Sequence, residues 1–144
     1  MPLEVIDETR QFRALDSLHT NLERYLNENN IKQIVTLILL SDEAIKELNN
    51  KDRGVNKATD VLSYPMHEPD DIDMPVVEQL GDVFVSVDTA LRQAEVKNHS
   101  LEDEILILAA HGITHLRGYD HDSEENWQIF KDEQAKVLGY KDVY

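Results

Sequence analysis

The stretch LEDEILILAAHGITHL, residues 101–116, limits what this chain can fold into more than any other. Its apolar residues fall on nearly every side of a helix, so the helix belongs at the centre of the fold and not on a surface. Ser100 with Asp103 resembles a capping box that opens it, and Gly118 is placed to stop it. The other elements must pack around this one.

LEVI at the start reads as a short strand, and Phe12, Leu15, Leu18, Leu22 and Tyr25 then recur at helical spacing over about 9–29. KQIVTLILL (32–40) is β-branched and continuously apolar, the pattern of a strand buried on both faces. Ser41 caps a short helix with Asp42 and Glu43 in its first turn and Ile45 and Leu48 facing inward. Residues 49–60 read as a polar loop, 61–64 as a strand stopped by Pro65, and 66–79 as a long surface loop. LGDVFVS (80–86) is a further strand, followed by a helix over about 88–97. Ser123 caps a last helix with Trp127 and Phe130 on one face and Gly139 at its end. The order β-α-β-α-β-β-α-α-α describes an α+β fold: one domain over 1–144, with a small mixed four-stranded sheet and about five helices.

The chain has no cysteine, which excludes disulfides and thiolate metal sites. Its longest apolar runs are too short to span a bilayer. The opening MPLEVIDETRQF lacks the basic start and apolar run of a signal peptide. No membrane association is expected, and the cytosol is the expected location. The formal charge of −15 argues against a surface that coats nucleic acid broadly, but leaves room for a small basic pocket. Lys51, Arg53 and Lys57 are the one local grouping of cations.

Three of the six histidines fall in HGITHLRGYDH, residues 111–121. His111 and His115, four apart near the end of the central helix, share one face with their Cβ atoms about 5–6 Å apart. A turn at Gly118 brings the chain back so that His121 reaches the same point. Three imidazoles leave a fourth tetrahedral position open for water, the layout of a catalytic zinc site; nickel, iron and copper also suit imidazole. The spacing H-x3-H-x2-G-x2-H is shared with metzincin proteases, but the Glu that serves those enzymes as base is replaced by Gly112, and no Met follows Met74. The cage is present without the peptidase machinery.

HGITHLRGYDH resembles the H-G-x-L-H-L-x-G-Y-D-H signature of the YbeY family of bacterial endoribonucleases. LNNKDRGVNKATDVLSYP (48–65) and GDVFVS (81–86) are similar to two further blocks of that family, in the same order. Thr114 stands where the family usually has Leu, Tyr64 where it has Phe, and Asp52 where an aromatic is common. The resemblance implies a metal-dependent, single-strand-specific endoribonuclease that processes ribosomal RNA, notably the small-subunit 3′ end, and serves ribosome quality control. It implies one zinc per chain on His111, His115 and His121, and a functional role for Arg53.

The residues agree with that chemistry. Arg53 offers a fixed fork of donors to a phosphodiester, and Lys51 and Lys57 are candidates for steering the backbone. Asp60, Asp82 and Asp120 are candidates for a general base or for orienting the metal-bound imidazoles, since such histidines usually give their second N–H to an acceptor. His19, His67 and His99 lack metal spacing and read as surface residues, and Tyr119, Trp127 and Phe130 read as core. The acidic balance suits ribosomal proteins or ribosome-associated factors as partners beside ribosomal RNA. Two other readings stay open: a zinc-dependent hydrolase of a non-RNA substrate, and a non-catalytic ribosome-assembly factor with a structural metal.

Overall fold

The computed structural model describes residues 3–9, 15–66 and 79–138. Among them the order is β1 (Leu3–Asp7), α1 (Leu15–Glu28), β2 (Ile34–Leu40), α2 (Asp42–Arg53), β3 (Val61–Pro65), β4 (Gln79–Ser86), α3 (Val87–Lys97), α4 (Leu101–Leu116) and α5 (Glu124–Val137). The sheet runs β1-β2-β4-β3, with β1, β2 and β4 parallel and β3 antiparallel on the edge beside β4. This is the mixed four-stranded sheet with five helices that the element order leads one to expect. Most of the loop expected over 66–79, with His67, lies outside the described residues, as does Gly139.

Alternation along β2 divides the molecule into two layers. Val35, Leu37 and Leu39 face the main core, with Val83 and Val85 of β4, Leu18, Leu22, Tyr25 and Leu26 of α1, and the apolar run of α4. Leu40 faces the opposite layer with Leu62 of β3 and Ile45 of α2, and Phe84, Tyr64 and Leu48 pack there too. A strand covered on both faces has no use for polar alternation, which is why residues 32–40 read as they do.

The central helix is buried from Glu104 through Ala110 and again from Gly112 through Thr114. Ser100 accepts a hydrogen bond from the Asp103 amide at its start. Gly112 is the point of closest approach to the sheet. A Cβ added there would sit 2.5 Å from Val83 Cγ1, inside the core of a central strand. The missing Glu therefore has a packing cause: this position faces β4, and no side chain fits. Gly112→Ala is expected to lose about 1–2 kcal/mol net. Overpacking costs roughly 1–3 kcal/mol, against at most about 1 kcal/mol gained in helix propensity. Chemical denaturation that shows equal or greater stability would contradict this packing.

Two expected boundaries shift. Thr9 does not open the first helix; its amide and hydroxyl both donate to Asp7 Oδ1, at 3.0 and 2.6 Å, in a turn that ends β1. The helix after Ser41 is longer than its sequence suggests and takes in residues 49–53, which read as loop. Asn49 is buried there because its amide donates to the Lys57 carbonyl at 2.9 Å, tying the helix to the chain that follows. Asp42 and Glu43 at one end and Lys51 and Arg53 at the other complement the helix dipole, and Gly54 closes it in a left-handed conformation.

His99 is not a surface residue. Its Nε2 lies 2.6 Å from Oε1 of the fully buried Glu104, whose other oxygen accepts from Lys97 Nζ at 3.2 Å. His19 is half-exposed and bridges the Leu3 carbonyl at 2.9 Å and Glu23 Oε2 at 3.2 Å, fastening α1 to β1.

Candidate metal centre

The last two turns of α4 carry His111 and His115, with ring centroids 4.8 Å apart. Gly118 then takes φ 92°, its amide donating to the His115 carbonyl at 2.9 Å, and the chain doubles back. His121 arrives with its ring 5.6 Å from that of His111 and 5.1 Å from that of His115. One potential ligand atom from each imidazole lies within 4.8 Å of the others. His111 and His115 are half-buried and His121 is exposed, so the cluster has a protein side and an open side.

The floor is supplied by α5. Phe130 is fully buried, and its ring centroid lies 4.8, 4.8 and 5.2 Å from those of His111, His115 and His121. It is a core residue, as its sequence position suggests, but it also seats all three imidazoles. Trp127 departs from the expected core role. It is 40% exposed, stacks on Phe130 and meets His121 edge-on at 5.6 Å. Tyr119 is only partly buried in the turn.

Gln134, one turn beyond Phe130, is the residue beside the cluster that the sequence hides. Its buried Oε1 accepts from His111 Nδ1 at 3.0 Å, which leaves Nε2 with its lone pair for a metal. The signal was its i, i+4 relation to Phe130 on one face of α5. Gln134→Ala is expected to weaken metal binding about 10–100-fold while the fold persists. Competition with a chelator of known affinity measures this, and unchanged affinity would mean that Gln134 does not orient His111.

Burial holds His111 and His115 below the usual imidazole range. The charge of a neighbouring histidine pushes the same way; the Gln134 hydrogen bond and the Asp60 charge oppose it at His111, and Asp120 opposes it at His115. The neutral form is the one that ligates, so the site is prepared for a cation at neutral pH. In the metal-free protein, the unfolded chain takes up protons at these positions first as pH falls below about 6.5. Their contribution to stability is therefore present above that pH and lost as pH falls through the lower folded values. Thermal melts of metal-free protein should move to lower temperature between about pH 7.5 and 5, and an unchanged melt would contradict the burial of neutral imidazoles.

The candidate carboxylates separate. Asp60, half-buried at the start of β3, accepts from the Val61 amide at 2.8 Å and from Gln93 Nε2 at 3.3 Å, and its charge is felt by His111. Asp120 accepts from the His121 amide at 2.8 Å, which shapes the turn that delivers His121. Asp82 is on the other face of the sheet, directly opposite Tyr64 of β3 and beside Thr36 of β2, where burial raises its pKa against the Thr36 hydrogen bond. The sheet stands between Asp82 and the histidines.

Arg53 and Lys51, in the last turn of α2, and Lys57 beyond it are all exposed. The charge of Arg53 is felt by Tyr64, so it lies on the α2 side of edge strand β3, with the histidines on the α4 side. Thr114, the departure between the two helical histidines, is buried and spends its hydroxyl on the Ala110 carbonyl at 2.7 Å. It changes packing and leaves the imidazoles alone.

A cavity of about 570 Å³ opens beside His111, between α3, α4 and the start of β3, with Asp60, Val61, Gln93, Val96 and Leu108 in its walls.

An α+β domain with three imidazoles converging at the end of its central helix, one side open and a cavity alongside, has the layout of a single-metal hydrolase. The donor set fits a borderline-soft divalent ion without any thiolate. The chain belongs to the endoribonuclease YbeY family, whose model matches residues 4–141. Among its relatives, an endoribonuclease YbeY of Thermus thermophilus is 48% identical over 104 residues, 72% of this chain and 73% of the relative. That of Deinococcus radiodurans is 45% identical over 112 residues, 70% of this chain and 71% of the relative. The solution structure of TM1509 from Thermotoga maritima superposes with a TM-score of 0.66 at 31% identity, over 96% of this chain and 90% of that one. No described helix is long and apolar enough to cross a membrane.

Proposed function

We propose that this protein is a metal-dependent endoribonuclease that cuts single-stranded RNA, with zinc on His111, His115 and His121. Its substrate is precursor ribosomal RNA near the small-subunit 3′ end, and its partners are ribosomal proteins or ribosome-associated factors. The observation that carries the reading is the convergence of three imidazole nitrogens to within 4.8 Å in a chain of the endoribonuclease YbeY family.

A bound zinc ion would supply a water whose pKa is near about 7, so that hydroxide is available at neutral pH. The protein's own groups do the rest. Gln134 fixes the tautomer of His111. Phe130 closes the inner side of the cluster to water, and the exposed side at His121 admits substrate. Asp60, whose charge acts on His111, would take a proton beside it at the cavity wall. Asp120 holds the His121 turn.

RNA laid across edge strand β3 would meet the histidines on one side and Arg53 on the other, where the guanidinium can pair with a neighbouring phosphate of the strand. Lys51 and Lys57 would steer the backbone from the same side. Asp82 lies opposite Tyr64, so any part it takes would be on the Arg53 side of β3 and not beside the imidazoles.

Defined single- and double-stranded RNAs offered to zinc-loaded and chelated protein test the reading. Cleavage confined to the single strand and to loaded protein is expected. Equal cleavage after chelation would remove the metal from the mechanism. Stoichiometric metal without cleavage of any RNA would favour an assembly factor.

A further inference from the structure

The cavity beside His111 has a use that the histidines alone do not give it. Its walls are apolar where Val61, Val96 and Leu108 line it, with Val96 exposed at the rim. Asp60 and Gln93 line one wall as a pair, joined by a hydrogen bond of 3.3 Å, long enough to be exchanged for a better one. His111 forms part of the wall, so whatever fills the cavity lies against the candidate metal centre. The volume of about 570 Å³ is within the range of small-molecule sites, roughly 300–1,000 Å³.

We propose that this cavity receives one unstacked base of the RNA strand, the nucleotide next to the scissile phosphate, and that it selects adenine or cytosine over uracil. The proposal rests on the endoribonuclease reading for its ligand and on the cavity for its residues. Apolar side chains in the walls suit the faces of an unstacked base. Adenine and cytosine present an amino group beside a ring nitrogen. The amino group would donate to Asp60 and the Gln93 amide would donate to the ring nitrogen, so one long bond is exchanged for two. Uracil turns a carbonyl toward Asp60 where the others turn an amino group, and leaves that carboxylate facing an acceptor. Arg92 and Lys97 are also in the walls, but Asp42 engages Arg92 at 2.8 Å and Glu104 engages Lys97 at 3.2 Å, so the selectivity rests on Asp60 and Gln93. A base taken out of the stack is available only in a single strand, which supplies a physical reason for strand selectivity.

The test uses zinc-loaded, isotope-labelled full chain and tetranucleotides of 2′-O-methyl A, C or U, which bind without being cut. Shifts at the Gln93 side-chain amide and the Val61 and Leu108 methyls are expected, with the U tetramer bound about tenfold more weakly than A or C. Gln93→Phe, which fills the cavity, should weaken the A tetramer about tenfold at unchanged metal content. Asp60→Asn, whose amide can donate to a carbonyl, should erase the preference against U. Equal affinities for the three tetramers, or shifts that bypass the cavity, would overturn the proposal. Endoribonuclease activity is measured apart, by cleavage of the matching ribonucleotides. Binding in the cavity without cleavage would sink the endoribonuclease reading and leave this one, and cleavage without cavity shifts would do the reverse.

Discussion

His115→Ala should lower metal content and RNA cleavage together. His115 is the middle member of the cluster, within ring contact of both His111 and His121 and seated on Phe130. Its removal leaves two imidazoles, and two do not define a tetrahedral site. Loss of a group that merely orients a ligand costs about 10–100-fold in affinity, so loss of a ligand should exceed about 100-fold. The fold should survive, because His115 is half-buried at the open end of α4 while the residues that pack the helix lie on its other sides. Elemental analysis and cleavage assays on one preparation give the answer. Full metal occupancy in the variant would sink the three-histidine site, and full activity without metal would detach the cluster from catalysis.

Arg53→Glu should leave fold and metal content intact and reduce cleavage by about tenfold or more, the size of losing one charged hydrogen bond to the strand. The side chain is exposed at the end of α2, so the core is not at risk. The reversed charge would also repel the phosphate backbone. A loss seen mainly in kcat would place Arg53 at the reacting phosphate, and a loss seen mainly in KM would place it in strand binding. A variant as fast as the parent would mean that the guanidinium, across β3 from the histidines, takes no part.

What could be read from the residues, and what could not, follows from the range of each interaction. The caps at Ser41, Ser100 and Ser123 are local, each hydroxyl accepting from an amide three residues on, and all three are plain in the sequence. The two helical histidines and the Gly118 turn are local as well. Gln134 lies 23 residues from the imidazole it holds, and no spacing rule connects the two before α5 is packed on α4. The extension of α2 was hidden because Asn49 is a poor helix former until Lys57 accepts from it. His99 looked free because its partner Glu104 lies in the next helix, buried by packing that has no local trace. Asp82 belongs to a matched block, yet strand alternation turns it away from α4, and only the sheet pairing reveals that. Gly112 was legible as an absence, and its reason, Val83, was not.

If one metal ion on His111, His115 and His121 drives the cutting of single-stranded RNA, the rate must follow the occupancy of that site. The most direct measurement titrates metal-free protein with zinc while bound metal and the initial rate of cleavage are followed in the same samples. The rate should start near zero, rise in proportion to bound zinc and level off at one ion per chain. Full rate before any zinc is bound, or one ion per chain bound with no cleavage of single-stranded RNA, would contradict the account.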